Sequence, residues 1–160
     1  MRAFLVACLL PVVASAQSAP SLQFRGQRPL HATVAAEPTD LAVQPGAKVS
    51  LFINVTPNPN IHVYAPGAKD YIQITVKLDA QPNVKVGKLA YPKSELMTFA
   101  DEKVPVFQKP FRLTQDVTVS GSLKAGSTVP ISGKVDYQAC DDKVCYAPES
   151  APISWTLTVR

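Results

Sequence analysis

Apolar and polar residues alternate with period two along much of this 160-residue chain, and that alternation restricts its fold more than any other feature. In a strand successive side chains point to opposite faces, so an alternating run builds one dry face and one wet face. Val49, Leu51, Ile53 and Val55 point one way while Lys48, Ser50, Asn54 and Thr56 point the other. Ile72, Ile74, Val76 and Leu78 repeat the pattern against Gln73, Thr75 and Lys77. Val117 and Val119 do so again before a turn at Ser120-Gly121-Ser122, and Val129 and Ile131 precede a break at Gly133, after which Val135 and Tyr137 resume. Ile153, Trp155, Leu157 and Val159 form a last strand with Ser154, Thr156 and Thr158 facing out, the lone Trp155 belonging to the core. Thr56-Pro57-Asn58-Pro59-Asn60 ends a ladder, because proline removes donors and asparagine favours turns. No segment carries a convincing 3.6-residue repeat, and fifteen prolines exclude long helices. The expectation is an all-β chain of seven to nine short strands. Half-buried strands must cover one another's apolar faces, which makes an immunoglobulin-like β-sandwich the best architecture and a small barrel the second choice.

The first residues read differently. Arg2 precedes the apolar run Ala3 to Leu10, Pro11, Val12 and Val13 follow, and Ala14-Ser15-Ala16 has the small-residue pattern of a cleavage site. Residues 1–16 are therefore expected to be a signal peptide, with a mature chain starting near Gln17. The run is shorter than the roughly 20 residues that a permanent membrane helix needs, and no later segment approaches that length. Leu5-Val6-Ala7-Cys8 has the look of a lipidation box, but Cys8 comes too early to leave an apolar segment before it. Residues 17–30 are polar and irregular and read as a flexible leader, leaving 31–160 as one domain.

Removing the signal peptide takes one of sixteen basic residues and leaves fifteen against twelve acidic ones, a net charge of +3. So mild and scattered a surplus argues against a nucleic-acid surface. It also leaves two of three cysteines, Cys140 and Cys145, in an exported chain, where an even pair is expected as a disulfide in at least one of its states.

Tyr137-Gln138-Ala139-Cys140-Asp141-Asp142-Lys143-Val144-Cys145-Tyr146-Ala147-Pro148 is the one stretch with chemical content. Four residues separate the cysteines. On chain-entropy grounds so short a loop contributes about 2 kcal/mol, against about 5 for a loop of a hundred residues. A purely structural bond is thus poorly placed, while a disulfide at a charged loop is accessible to thiol exchange. Asp141 and Asp142 disfavour a thiolate, Lys143 opposes them, and no helix amino terminus follows to lower the thiol pKa. The residues alone leave three readings open: a structural disulfide, a redox pair that exchanges with a more reactive partner thiol, and a metal site.

The same segment resembles the cysteine signature of the amino-terminal periplasmic domain of DsbD-type thiol:disulfide interchange proteins. Weaker matches lie at Asn60-Ile61-His62-Val63-Tyr64-Ala65-Pro66, Leu89-Ala90-Tyr91-Pro92 and Val106-Phe107-Gln108-Lys109-Pro110-Phe111. The resemblance implies an immunoglobulin-like fold and a periplasmic electron carrier, reduced through a membrane-embedded partner and reducing thioredoxin-like proteins in turn. Carried over by position, Cys140 and Cys145 match the redox pair. His62 and Tyr64 fall where the family places aromatic residues beside the disulfide, and Tyr137 and Tyr146 flank it. Phe107 falls near a cap loop whose aromatic ring shields the sulfurs, with Asp101 and Glu102 upstream. The cysteine spacing is one residue shorter than in the best-known members. The chain ends at Arg160 without the family's membrane segment or thioredoxin domain, so donor and acceptor would be other chains, including a separate membrane thiol reductase.

Other chemistries find less support. His31, His62, Met97, Cys140 and Cys145 are donor types suited to a soft ion such as copper, but their spacing does not favour a site. Asp101-Glu102-Lys103 reads as a solvated turn, and no pair of separated carboxylates, Ser-His-Asp order or phosphate-cradling loop stands out. No cofactor is expected. Two functions follow: a thiol:disulfide interchange module cycling Cys140 and Cys145, with Cys145 the attacked sulfur, or a non-catalytic secreted binding sandwich in which the bond pins a loop.

Overall fold

The structure, a computed structural model, describes residues 30–37, 42–99 and 101–160. The signal peptide, the leader up to residue 29 and the question of Cys8 lie outside the described residues. Among the described residues there are twelve strands: β1 (Ala32–Ala36), β2 (Ala42–Val43), β3 (Lys48–Pro57), β4 (His62–Tyr64), β5 (Thr75–Leu78), β6 (Val84–Ala90), β7 (Glu95–Phe99), β8 (Glu102–Phe107), β9 (Phe111–Val119), β10 (Thr128–Tyr137), β11 (Ala139–Cys140) and β12 (Glu149–Val159). Among the described residues there is no helix. The strands form three four-stranded sheets, ordered β1-β3-β9-β6, β2-β12-β10-β5 and β11-β4-β8-β7.

The first two sheets are the sandwich that the alternation predicts. Their inner faces meet in one core: Leu51, Ile53 and Val55 of β3, Leu113 and Val117 of β9, Ile131 and Val135 of β10, Ile153, Trp155 and Leu157 of β12. Along β12, Ala151, Ile153, Trp155, Leu157 and Val159 are buried while Pro152, Ser154, Thr156 and Thr158 are exposed. Each fully buried Val, Leu or Ile contributes about 1.5–3 kcal/mol relative to exposure. The fold is thus an all-β, immunoglobulin-like sandwich. Its strand count exceeds seven to nine because β2, β4 and β11 have two or three residues each. A strand that short holds no full alternation to read.

Two local expectations change. Ile72 does not open a strand: it is exposed, and β5 begins at Thr75, after the buried Ile74. Gly133 does not break a strand either. β10 runs through it, pairing Gly133 with Ile153 on one side and Leu78 on the other. A Cβ at Gly133 would lie 2.4 Å from the Lys77 carbonyl oxygen and 2.8 Å from Leu78 Cα, so glycine lets β5 approach. A bulge in β6 between Val86 and Leu89 is likewise accommodated, as the buried Gln115 side chain donates to the Gly87 carbonyl at 3.1 Å and to the Asp116 carbonyl at 2.9 Å.

The third sheet positions the site, because both of its faces are covered. Ala139, Val63 and Phe107 lie in one register row across β11, β4 and β8, and all three belong to the main core. One residue along each strand, the phase flips. Cys140 pairs with His62 and Tyr64 with Val106, and Cys140, Tyr64, Val104 and Val106 form a second apolar cluster with Tyr71, Met97 and Phe99. Period two therefore sends alternate residues of β4 and β8 into two different cores.

The close approach at Gly133 yields a test. Gly133→Ala should lower unfolding free energy by about 1–3 kcal/mol in urea denaturation. Gly121→Ala, whose new Cβ meets only Gly46 Cα at 4.0 Å, should stay within about 0.5 kcal/mol of wild type.

Candidate functional site

Cys140 and Cys145 are joined by a disulfide with their Cα atoms 4.1 Å apart. They face each other across a tight hairpin, forming an isolated antiparallel bridge, with Asp141 N donating to the Val144 carbonyl and Tyr146 N to the Ala139 carbonyl, both at 2.9 Å. Asp141 builds this turn. Its Oδ1 accepts from the backbone N–H groups of Lys143 and Val144, each at 2.7 Å, and its Oδ2 accepts from the Tyr146 hydroxyl at 2.7 Å. The Tyr146 bond, then the two N–H bonds, hold the Asp141 carboxyl below its ordinary pKa. Its charge is thus largely engaged within the turn.

The two sulfurs have unequal surroundings. Cys140, on β11 at the back of the hairpin, is only 1% exposed, whereas Cys145 stands on the outer limb and is exposed. Val144 and Ile72 beside this limb are exposed apolar residues, 53% and 46% accessible. Gln138 links the segment at Ile72 to the hairpin, accepting from Ile72 N at 3.4 Å and donating to the Tyr146 carbonyl at 3.2 Å.

Aromatic rings floor the disulfide. The Tyr64 hydroxyl donates to Cys145 Sγ at 3.4 Å, and its ring stacks on Tyr71 with centroids 4.1 Å apart. Burial first, then the neighbouring Tyr71, pushes the Tyr64 phenol up to about 12, so it remains a donor throughout the physiological range. His62 meets the Tyr64 ring edge-on at 5.5 Å and lies 5.2 Å from the Phe99 ring. Burial lowers the His62 pKa, with Asp142 and Asp141 pulling the other way. The buried Nε2 of His62 has no hydrogen-bond partner, a condition that costs about 1–3 kcal/mol.

A second group anchors the outer limb. His31 stacks on Tyr146 with centroids 3.7 Å apart, its backbone N donates to Glu149 Oε2 at 2.9 Å, and its Nδ1 pairs with Glu149 Oε1. Burial raises the Glu149 pKa, but the His31 and Tyr137 bonds outweigh it and hold the carboxyl below its ordinary value. The loop after Cys145 is therefore tied to the start of β1.

The expected site residues divide between the two cores. Cys140, Cys145, His62 and Tyr64 come together, and Tyr146 braces the hairpin from outside. Tyr137 is buried in the main core, its hydroxyl donating to the Ala32 carbonyl at 3.4 Å, and burial raises its pKa. Phe107 likewise lies in the main core and not beside the sulfurs. It pairs with Val63, stacks on Phe111 at 4.1 Å and belongs to the main core, because it is one residue out of phase with Val104 and Val106. The aromatic residue that the β7–β8 hairpin brings to the Cys140 cluster is Phe99, close to Asp101, which takes a positive φ of 69° in the turn. Sequence reasoning missed Phe99, Tyr71 and the His31–Glu149 anchor. For Phe99 a signal existed: it is in phase with Met97 two residues before it. Among the described residues no group of three or more His, Cys, Asp or Glu side chains is arranged to hold a metal ion.

This geometry can support attack on one accessible sulfur with departure of a buried one. No curated protein matches the sequence. Solved structures to which the chain is similar include the reduced DsbD N-terminal domain of Neisseria meningitidis, 15% identical with a TM-score of 0.45 over 71% of this chain and 78% of that one. Others are a chain of a type I cohesin–dockerin complex from Clostridium thermocellum, 13% identical with a TM-score of 0.44 over 80% and 99%, and the sixth cohesin of Acetivibrio cellulolyticus scaffoldin B, 11% identical with a TM-score of 0.45 over 82% and 100%. Residues 28–155 match the family described as "Thiol:disulfide interchange protein DsbD, N-terminal". With that match spanning most of its length and both cysteines of the hairpin, the chain belongs to the family of DsbD N-terminal domains.

Proposed function

We propose that this domain is a periplasmic thiol:disulfide interchange module whose Cys140 and Cys145 cycle between disulfide and dithiol with thioredoxin-like partners. The observation that carries this reading is the asymmetry of the pair, one cysteine exposed and the other buried at the back of a hairpin. A partner thiolate bonds to Cys145 Sγ, the disulfide breaks, and its electron pair leaves on Cys140 Sγ. The partner's second thiolate then attacks its own sulfur in the mixed disulfide and releases Cys145. Two electrons and two protons have entered this domain, and the partner leaves as a disulfide. The reverse sequence delivers them to an acceptor. The exposed Val144 and Ile72 suit the apolar surface around a partner's cysteine, and the Tyr64 hydroxyl stabilises negative charge on Cys145. Phe99 is the cap of the inner side: its ring packs against the cluster that holds Cys140 and shields that end of the disulfide, while Cys145 stays open to a partner.

The first test is the reduction potential of the pair, equilibrated against glutathione or thioredoxin. A value of roughly −180 to −270 mV is expected, and a value below about −300 mV would mark a structural staple and favour the binding sandwich. Cys140→Ala should accumulate a mixed disulfide with a thioredoxin-like protein through Cys145, whereas Cys145→Ala should not. For the cap, Phe99→Ala should speed reduction by dithiothreitol several-fold. Phe107→Ala should instead cost about 3–5 kcal/mol of stability through the core, without selectively exposing the disulfide.

A further inference from the structure

Among the described residues only two buried side-chain nitrogens lack a hydrogen-bond partner, Trp155 Nε1 and His62 Nε2. Trp155 belongs to the main core. His62 is directly opposite Cys140 in the β4–β11 register, so the two side chains are neighbours on one sheet face. Both are nearly sealed, His62 at 2% and Cys140 at 1% exposure. In the disulfide the Cys140 sulfur needs no proton and the imidazole has nothing to bond. Opening the disulfide turns that sulfur into a buried thiolate, which low-dielectric surroundings penalise unless it is paired or protonated. Each group supplies what the other lacks.

His62 also borders a cavity beside the hairpin. A polar cavity of about 210 Å³ is lined by Asn60, Ile61, His62, Met97, Gln108 and Asp142. The titratable groups around the ring are Asp141 and Asp142 on the hairpin, Tyr64 on β4 and Tyr71 stacked against it, while Met97 and Phe99 of β7 and Gln108 after β8 bring no charge.

Building on the exchange reading, we propose that His62 relays a proton between the polar cavity and the buried Cys140 sulfur each time the disulfide opens or closes. As the partner thiolate bonds to Cys145, the S–S electron pair leaves on Cys140 Sγ. One ring nitrogen of His62 gives that sulfur a proton while the other accepts one from solvent in the cavity, so the ring ends neutral in its other tautomer. On reoxidation the proton returns by the same route as Cys140 re-forms the bond. Burial, which keeps the imidazole neutral, suits it to a relay rather than to a fixed counter-charge. Tyr64 serves Cys145 in the same exchange, so each sulfur has its own polar partner on the floor of the site.

The test uses His62→Phe, which keeps an aromatic ring without nitrogens, and His62→Gln, which keeps hydrogen bonding without proton relay. Reduction by dithiothreitol, a thiol that needs no docking surface, should slow about tenfold at neutral pH in both variants, below the usual general-acid range because a thiolate leaves readily. In a Cys145→Ser background, ultraviolet thiolate absorbance should titrate Cys140 at a higher pH in His62→Phe than with His62 present. Melting curves check that the fold is intact, and His62→Gln carries the test if His62→Phe does not fold. Wild-type rates together with an unmoved Cys140 titration would overturn the proposal. The two readings fail separately. Wild-type protein that thioredoxin cannot reduce removes the exchange module, while the dithiothreitol rates and the titration still judge His62.

Discussion

Strand β4 has three residues, and all three are buried, but not in the same place. Val63 enters the main core between Ala139 and Phe107, while His62 and Tyr64 enter the second cluster beside Cys140 and Val106. A strand covered on both faces cannot slip by one residue, because the slip would exchange the two sets and drive an imidazole and a phenol into the sandwich core. The register of β11 on β4 is set in this way. With it comes the placement of Cys140 against His62 and of Cys145 against the Tyr64 hydroxyl. The site thus depends on a packing constraint that originates on the opposite face of its own sheet.

The rest of the hairpin follows from local chemistry. Asp141 satisfies two backbone N–H groups and the Tyr146 hydroxyl, which turns the chain sharply enough for Cys140 and Cys145 to meet across it. Tyr146 carries that restraint outward to His31 and Glu149 at the edge of the sandwich. The outer sulfur is therefore held by hydrogen bonds at the surface, and the inner one by apolar burial. The disulfide thus joins one exposed cysteine to one buried cysteine, the asymmetry on which the proposed exchange rests.

Much of the fold was legible because it was repetitive. The alternation in β3, β9, β10 and β12 spans nine to eleven residues per strand, enough for the period to declare which face is buried. The cysteine segment stood out because two of the chain's three cysteines lie in it, five positions apart. Phe107 and Tyr137 show where that reading stops. Each is aromatic, yet each belongs to the main core: Tyr137 continues the alternation of β10, and Phe107 is one residue out of phase with Val104 and Val106 on β8. Gly133 shows the same limit from the other side. Read as a break, it is the position where the absence of a Cβ admits a neighbouring strand.

By itself the sequence determined the class of fold, the two cysteines that form the disulfide and the resemblance that gives the pair its chemistry, because periodicity, spacing and residue type are properties of the chain alone. Only the tertiary structure decided which cysteine is exposed, that Phe99 rather than Phe107 packs against the Cys140 cluster, and that His62, opposite Cys140 in register, keeps a buried nitrogen without a partner. Those facts depend on which strands become neighbours and in which register. Register is set by the simultaneous burial of both faces of the third sheet, which no single stretch of sequence records.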